Sequence, residues 1–142
     1  MKRLFNITFA IIILATGFAA GAQAQTTPRV VANIPFAFTA NSKTLPAGKY
    51  TVTVLNPSSD RKALQIRSMD GRSSAIVLTN GVIGNISDNS KLVFERYDDR
   101  YFFAQAQIAG DSTTLAALRS NKEHKHLMAT AKKKSVVVIA AG

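Results

Sequence analysis

The sequence contains no cysteine, which excludes a disulfide framework, a thiolate nucleophile and any cysteine-based metal site. It also leaves no residue behind an export leader to carry a bacterial lipoprotein's lipid. Acidic residues are few, 8 against 18 lysines and arginines in 142 residues, for a net charge of +10. No stretch matches G-x-S-x-G, a P-loop or a dinucleotide fingerprint, and Asn80-Gly81-Val82-Ile83-Gly84 is only glycine among hydrophobics. No pair of groups offers a nucleophile or base with its partner, so the chain reads as non-enzymatic and without a cofactor. There is no internal repeat and no low-complexity linker, and the length suits a single domain.

What is present begins with an address. Met1-Lys2-Arg3 forms a positive start, Leu4 to Ala20 an apolar stretch, and Ala22-Gln23-Ala24 a small-x-small cleavage site. Residues 1–24 are therefore expected to be a signal peptide cut between Ala24 and Gln25, leaving residues 25–142 as one domain, secreted or periplasmic. Asn6, Thr8, Gly17 and Gly21 dilute a segment that barely reaches the roughly 20 apolar residues a spanning helix needs. No integral membrane span is expected after cleavage. The mature chain carries +8 on 118 residues, and +5 of this falls between Arg119 and Lys134.

The body alternates apolar and polar residues, with many β-branched and aromatic types. Asn33 to Phe38 places Ile34, Phe36 and Phe38 on one face, and Pro35 limits that strand to an edge or a late start. Lys49 to Leu55 turns Tyr50, Val52 and Val54 inward and Thr51 and Thr53 outward. Ala63 to Ser68 sets Leu64 and Ile66 against Gln65 and Arg67. Asp70-Gly71 and Asn80-Gly81 are both dipeptides favoured in tight hairpins. They bracket a strand from Ser74 to Thr79, and Val82 to Ser90 reads as a long loop. Lys91 to Tyr97 and Tyr101 to Ile108 form a hairpin around Asp98-Asp99, and a two- or four-residue loop places Phe94 opposite Phe103 and Arg96 opposite Tyr101.

Ser120-Asn121-Lys122-Glu123 is a capping box that opens a helix, with Lys132, Lys133 and Lys134 at its end against the negative pole of the helix dipole. Ser135 to Ala141 is a final apolar strand, expected to insert between others because such a run invites aggregation when exposed. The predicted fold is mainly β, an antiparallel β-sandwich or small β-barrel of about seven strands with one late helix and a last strand. A membrane barrel is disfavoured, since its strands would need about ten residues each with an uncharged outward face.

In Leu45-Pro46-Ala47-Gly48-Lys49-Tyr50, turn chemistry accounts for each position: Leu45 anchors, Pro46 fixes φ, Gly48 frees the backbone, and Tyr50 opens the inward face. The phrase is similar to strand starts in prealbumin-like and collagen-adhesin-type sandwich modules. It differs from the sortase signal L-P-x-T-G, having Gly48 in fourth place. The wider series N-I-P-F-A-F (Asn33 to Phe38), L-P-A-G-K-Y, L-Q-I-R-S (Leu64 to Ser68), V-L-T-N (Val77 to Asn80) and S-K-L-V-F-E-R-Y (Ser90 to Tyr97) resembles a group of short secreted bacterial proteins. The resemblance implies an exported β-rich protein and carries over no catalytic residues.

His124-Lys125-His126 could suggest a metal, but two histidines two apart on a helix diverge by about 200° and lack further ligands, so no metal is expected. Asp98 and Asp99, with Glu95 near, are explained as turn residues. Arg96, Tyr97, Arg100 and Tyr101 are the candidate ligand contacts, because guanidinium groups beside aromatic rings suit sugars and acidic polymers. Lys132, Lys133 and Lys134 are the candidate contacts to an anionic surface. The expected partner is an anionic envelope polymer or a glycan, not nucleic acid, since no nucleic-acid motif is present and the body outside the basic stretch carries only +3. The alternatives are a structural or assembly role in the envelope and a hydrolase with an unrecognised site. Oligomeric state is left open. Intact-mass measurement on exported protein is expected to find Gln25 at the amino terminus, and a retained leader would overturn the address.

Overall fold

The computed structural model describes residues 27–119, 121–130, 132 and 134–142. The leader with its cut, the Ser120 cap and Lys133 lie outside these residues. The described chain is mainly β with one short helix: β1 (Arg29–Ile34), β2 (Phe38–Ala40), β3 (Lys43–Leu45), β4 (Gly48–Val54), β5 (Ala63–Ser68), β6 (Ser74–Ile83), β7 (Ser90–Tyr97), β8 (Arg100–Gln107), β9 (Thr113–Ala117), α1 (Asn121–Thr130) and β10 (Lys134–Ala141). Ten strands, rather than about seven, form an open mixed sheet ordered β1-β4-β5-β6-β9-β8-β2-β3, with β7 pairing both β8 and β10. The pairing is antiparallel except between β2 and β8, where Phe38 and Thr39 lie parallel to Tyr101 and Phe102.

Period-two alternation drives the first four-strand stretch. Val30, Val52, Ile66 and Ala75 form one cross-strand row, and Val54, Leu64 and Val77 another, all buried. Such opposed apolar pairs are the unit of sheet stabilisation. The buried Thr79 is satisfied, its hydroxyl donating to the Lys62 carbonyl at 2.9 Å. The Leu45 to Tyr50 phrase closes on itself: Leu45 and Tyr50 are fully buried, and the Tyr50 hydroxyl donates to the Pro46 carbonyl at 2.6 Å.

Phe94 is the centre of the aromatic core. Its ring meets Phe36 at 5.2 Å, Phe38 at 5.2 Å and Phe103 at 5.8 Å, all edge to face, the arrangement favoured by ring quadrupoles. The β7–β8 loop has two residues, so Phe94 opposes Phe103 and Arg96 opposes Tyr101, as the strand pattern predicts. Asp98 takes the left-handed φ of 54° in that turn. The register shifts between Val93 and Phe94, where Val93 pairs with Gln105 and Phe94 with Phe103. Ala104 is thus an extra residue, and the bulge lets Phe103 and Ala106 both face the core although three positions apart.

Five expectations change. The strand expected from Asn33 to Phe38 breaks at Pro35, because proline cannot continue the ladder, and its halves join β1 and β2. Asn80-Gly81 is no hairpin: β6 runs through both residues to Ile83. Gly81 is needed for closeness, since a Cβ there would lie 2.9 Å from the Thr113 Cγ2 on β9. Asp70-Gly71 lies within a five-residue connection, residues 69–73, rather than a two-residue hairpin, with Gly71 at a φ of 75°. The helix ends at Thr130, and Lys134 belongs to β10.

The fifth concerns β10, which is laddered on one side alone and inserts between strands only at its C-terminal end. It pairs along its length with β7, and the far side of its C-terminal end lies beside β1, where Val31 and Gly142 exchange backbone hydrogen bonds of 2.6 and 3.0 Å. Its outward Val136 and Val138 are 60% and 56% exposed. An apolar run suggests burial on both faces, yet only Val137, Ile139 and Ala141 pack against the core.

Replacing Gly81 with alanine is expected to cost about 1–3 kcal/mol by overpacking. Adding Thr113→Ser, which removes the opposing methyl, should recover most of that loss. Urea unfolding of the two variants checks this, and an unaltered midpoint for Gly81→Ala would refute the close approach.

Candidate functional site

The four hairpin residues do not share one surface. Successive strand residues face opposite ways, so Arg96 and Tyr101 lie on the core side of the hairpin and Tyr97 and Arg100 on the outer side. On the core side, Tyr101 stacks on Phe36 with centroids 3.9 Å apart and planes 13° from parallel. The Arg96 guanidinium lies 5.5 Å from the Tyr101 ring centre, and its Nε donates to the Asp98 carbonyl at 2.6 Å. Arg96 also reaches Asp99 at 3.6 Å. These contacts hold the hairpin end together and engage Arg96 and Tyr101, while Arg100 on the other side is exposed.

On the outer side Tyr97 is fully buried, packed with Phe102 and with Leu127 of α1. The helix covers this face, which explains why Phe102 and Phe103, neighbours on β8, are both buried. Beside them sits Glu95. Its carboxylate accepts the Tyr97 hydroxyl at 2.9 Å, pairs with Arg119, and lies 3.6 Å from the Lys134 ammonium. Arg119 and Lys134 also cap rings, at 5.6 Å over Phe102 and 5.5 Å over Tyr97. Burial alone would raise the Glu95 pKa, but the Arg119 hydrogen bond and charge, the Tyr97 hydroxyl and Lys134 together hold it below the ordinary range.

The three-lysine surface is thereby divided. Lys134 serves Glu95, Lys132 is exposed with its backbone N–H donating to the Asp98 carboxylate at 3.3 Å, and Lys133 lies outside the described residues. The metal reading of His124 and His126 also rests on side chains outside the described residues.

The strand pattern does turn one polar surface outward that was not read as a site. Arg29 on β1 pairs with Thr53, Thr53 with Gln65, and Thr51 with Arg67. These five side chains line an open groove of about 410 Å³ on the outer face of β1, β4 and β5, continued by Ser68, Met69, Asp70 and Gly71. The arginines stand two strand spacings across and two residues along from one another, about 12 Å. Arg29 donates to the Thr51 hydroxyl at 3.4 Å, and among the described residues neither guanidinium pairs with a carboxylate. Asp70, the one acid at the rim, is engaged by the Ser68 hydroxyl and the Arg72 N–H, which lower its pKa. Period-two alternation identifies this face, but only the register of three strands brings Arg29 next to residues 51–67.

Among the described residues no helix is long and apolar enough to cross a membrane. Comparison with protein-family models, curated proteins and solved structures finds no match.

Because the Glu95 pKa is lowered on folding, its stabilisation is complete above the ordinary carboxylate value of 4.5 and is lost as pH falls through the lowered one. Glu95→Gln is expected to destabilise the fold near neutrality by about 1–3 kcal/mol, the range for losing charged hydrogen bonds. The gap to the unmodified protein should narrow on acidification from about pH 6 to about pH 3. Urea midpoints across that range check it; a constant gap would show that Glu95 does not titrate as described.

Proposed function

We propose that this chain is an exported, non-enzymatic binding module, secreted or periplasmic, that holds an acidic glycan of the envelope along the outer face of β1, β4 and β5. The ten strands enclose their core as a sandwich or small barrel, with Val31 and Gly142 joining its ends. The reading is carried by the two guanidinium groups of Arg29 and Arg67, without carboxylate partners, flanking Thr51, Thr53 and Gln65. Guanidinium is planar and suited to two-point contact with carboxylate or sulfate, while the hydroxyls and amide match sugar hydroxyls. The groove is open and shallow, which suits an extended polymer better than a small substrate. The carboxylates with shifted pKa values support binding over catalysis, since Glu95 and Asp70 are committed to structural partners. The export leader and the lack of a nucleic-acid motif favour a glycan over nucleic acid. Exposed Arg100 and Lys132 add to the positive field that steers a polyanion.

Titration with polygalacturonate, with neutral dextran as control, tests the proposal. Binding to the acidic polymer alone is expected, weakening as salt screens the charges. Arg29→Ala with Arg67→Ala should reduce affinity at least about tenfold, the value of one lost charge-assisted contact. Equal binding of both polymers, or an unchanged affinity in the folded double variant, would overturn it.

A further inference from the structure

We infer that the ligand track does not stop at Arg67: it crosses β6 and ends on Lys43 of the β2–β3 hairpin, so that the acidic polymer lies across the strands and is held by a third cation. The inference rests on the glycan reading of the groove and adds to it the length of ligand that this face takes.

Strand register lays the track out. On the outer face Arg29 of β1 is paired with Thr53, Thr53 with Gln65, and Gln65 with Ile76, one unbroken row from β1 to β6. The next row on the same face runs from Thr51 through Arg67 to Ser74. Gln65 lines the groove and also a second open hollow of about 320 Å³, which reaches Asn41 and Lys43. The two hollows therefore meet at one side chain.

The hairpin closes the far end of both rows. Beside Ser74 and Ile76 the ladder of β6 has β5 on one side only, and the β2–β3 turn folds over the other: Lys43 donates to the Ser74 carbonyl at 2.7 Å and Asn41 to the Ile76 carbonyl at 2.9 Å. These bonds place the two side chains without exhausting them. An ammonium carries three N–H donors, and a carboxamide carries two with an acceptor oxygen. Lys43 thus keeps two donors toward a ligand, and Asn41 keeps one donor and its oxygen.

Charge and spacing agree with this path. Among the described residues Lys43 has no carboxylate partner, and Asp70, already engaged at the opposite rim, is the one acid lining either hollow. Lys43 reaches the edge of β6 about 10 Å beyond Arg67 and about 20 Å from Arg29, counting strand spacings across the sheet. Three cations spread over that distance match a chain with repeated carboxylates or sulfates, and one short unit cannot reach them all. Ile76, half exposed between Gln65 and Asn41, puts an apolar surface under the chain before the third cation.

Calorimetric titration with the dimer and the hexamer of galacturonate, at low salt, tests the extension. The dimer is too short to reach from Arg29 to Lys43, and the hexamer is long enough. Lys43→Gln is expected to weaken the hexamer about fivefold, the upper range for an exposed ion pair, and to leave the dimer, held by the two arginines, unchanged. Because that variant also alters the bond to Ser74, Ile76→Glu supplies a second: its carboxylate in the row should weaken the hexamer by a similar factor while thermal unfolding stays the same. Hexamer affinity untouched in the folded variants, or weakened no more than the dimer's, overturns the extension and leaves the groove standing. A protein that binds neither oligomer, or binds both equally well without Arg29 and Arg67, overturns the groove itself and the extension with it.

Discussion

Strand β8 is buried on both faces, and much of the molecule is arranged around that constraint. Phe103 enters the main core against Phe94, while its neighbour Phe102 points the other way and is still only 7% exposed. A sheet face that carries Phe102 and Tyr97 outward needs a cover, and α1 provides it through Leu127. Covering that face leaves Glu95 only partly exposed, and its charge is answered locally. Arg119, arriving from the end of β9, and Lys134, opening β10, answer it from opposite sides. The basic stretch between Arg119 and Lys134, conspicuous in the sequence, is thus partly a device for closing the second core.

The same constraint explains the fate of the Arg96 to Tyr101 hairpin. Guanidinium groups among aromatic rings have the same composition whether they meet a ligand or one another. What distinguishes the two cases is whether the groups are already satisfied. Tyr97 is buried with its hydroxyl donated, Tyr101 is stacked on Phe36, and Arg96 is engaged by a ring, a carbonyl and Asp99. Drawing any of them toward a ligand would cost contacts that hold the hairpin. Arg29 and Arg67 have no such commitments to carboxylates, so a bound anion there would compete only with water and the 3.4 Å bond from Arg29 to the Thr51 hydroxyl.

Long alternating segments were legible from the residues alone. Tyr50, Val52 and Val54, Leu64 and Ile66, and the pairing of Phe94 with Phe103 all follow from period two and a two-residue loop. Short elements were not. Strands β2 and β3 have three residues each, below the length at which alternation can be recognised, and their turn at Asn41-Ser42 requires positive φ at both positions, 47° and 61°. Strand β9 buries only Leu115 among its five residues, so nothing marks it as sheet until β6 and β8 flank it. Gly81 resembled a turn because glycine answers two needs, positive φ and close approach, and only the position of Thr113 tells them apart. The candidate groove depended on register for the same reason, since Arg29 and Arg67 are distant in sequence and neighbours only across β4.

The groove and the start of β10 use charge in different ways. The groove on β1, β4 and β5 is polar and charged, so its contacts weaken with salt and suit a mobile polyanion. Lys134 is withdrawn onto Glu95 and the Tyr97 ring: it is the one charge on its strand and is already answered within its own chain. The packing that buries Tyr97 thus also holds the one charge of β10 in place, since the same carboxylate that accepts the Tyr97 hydroxyl keeps Lys134 beside it.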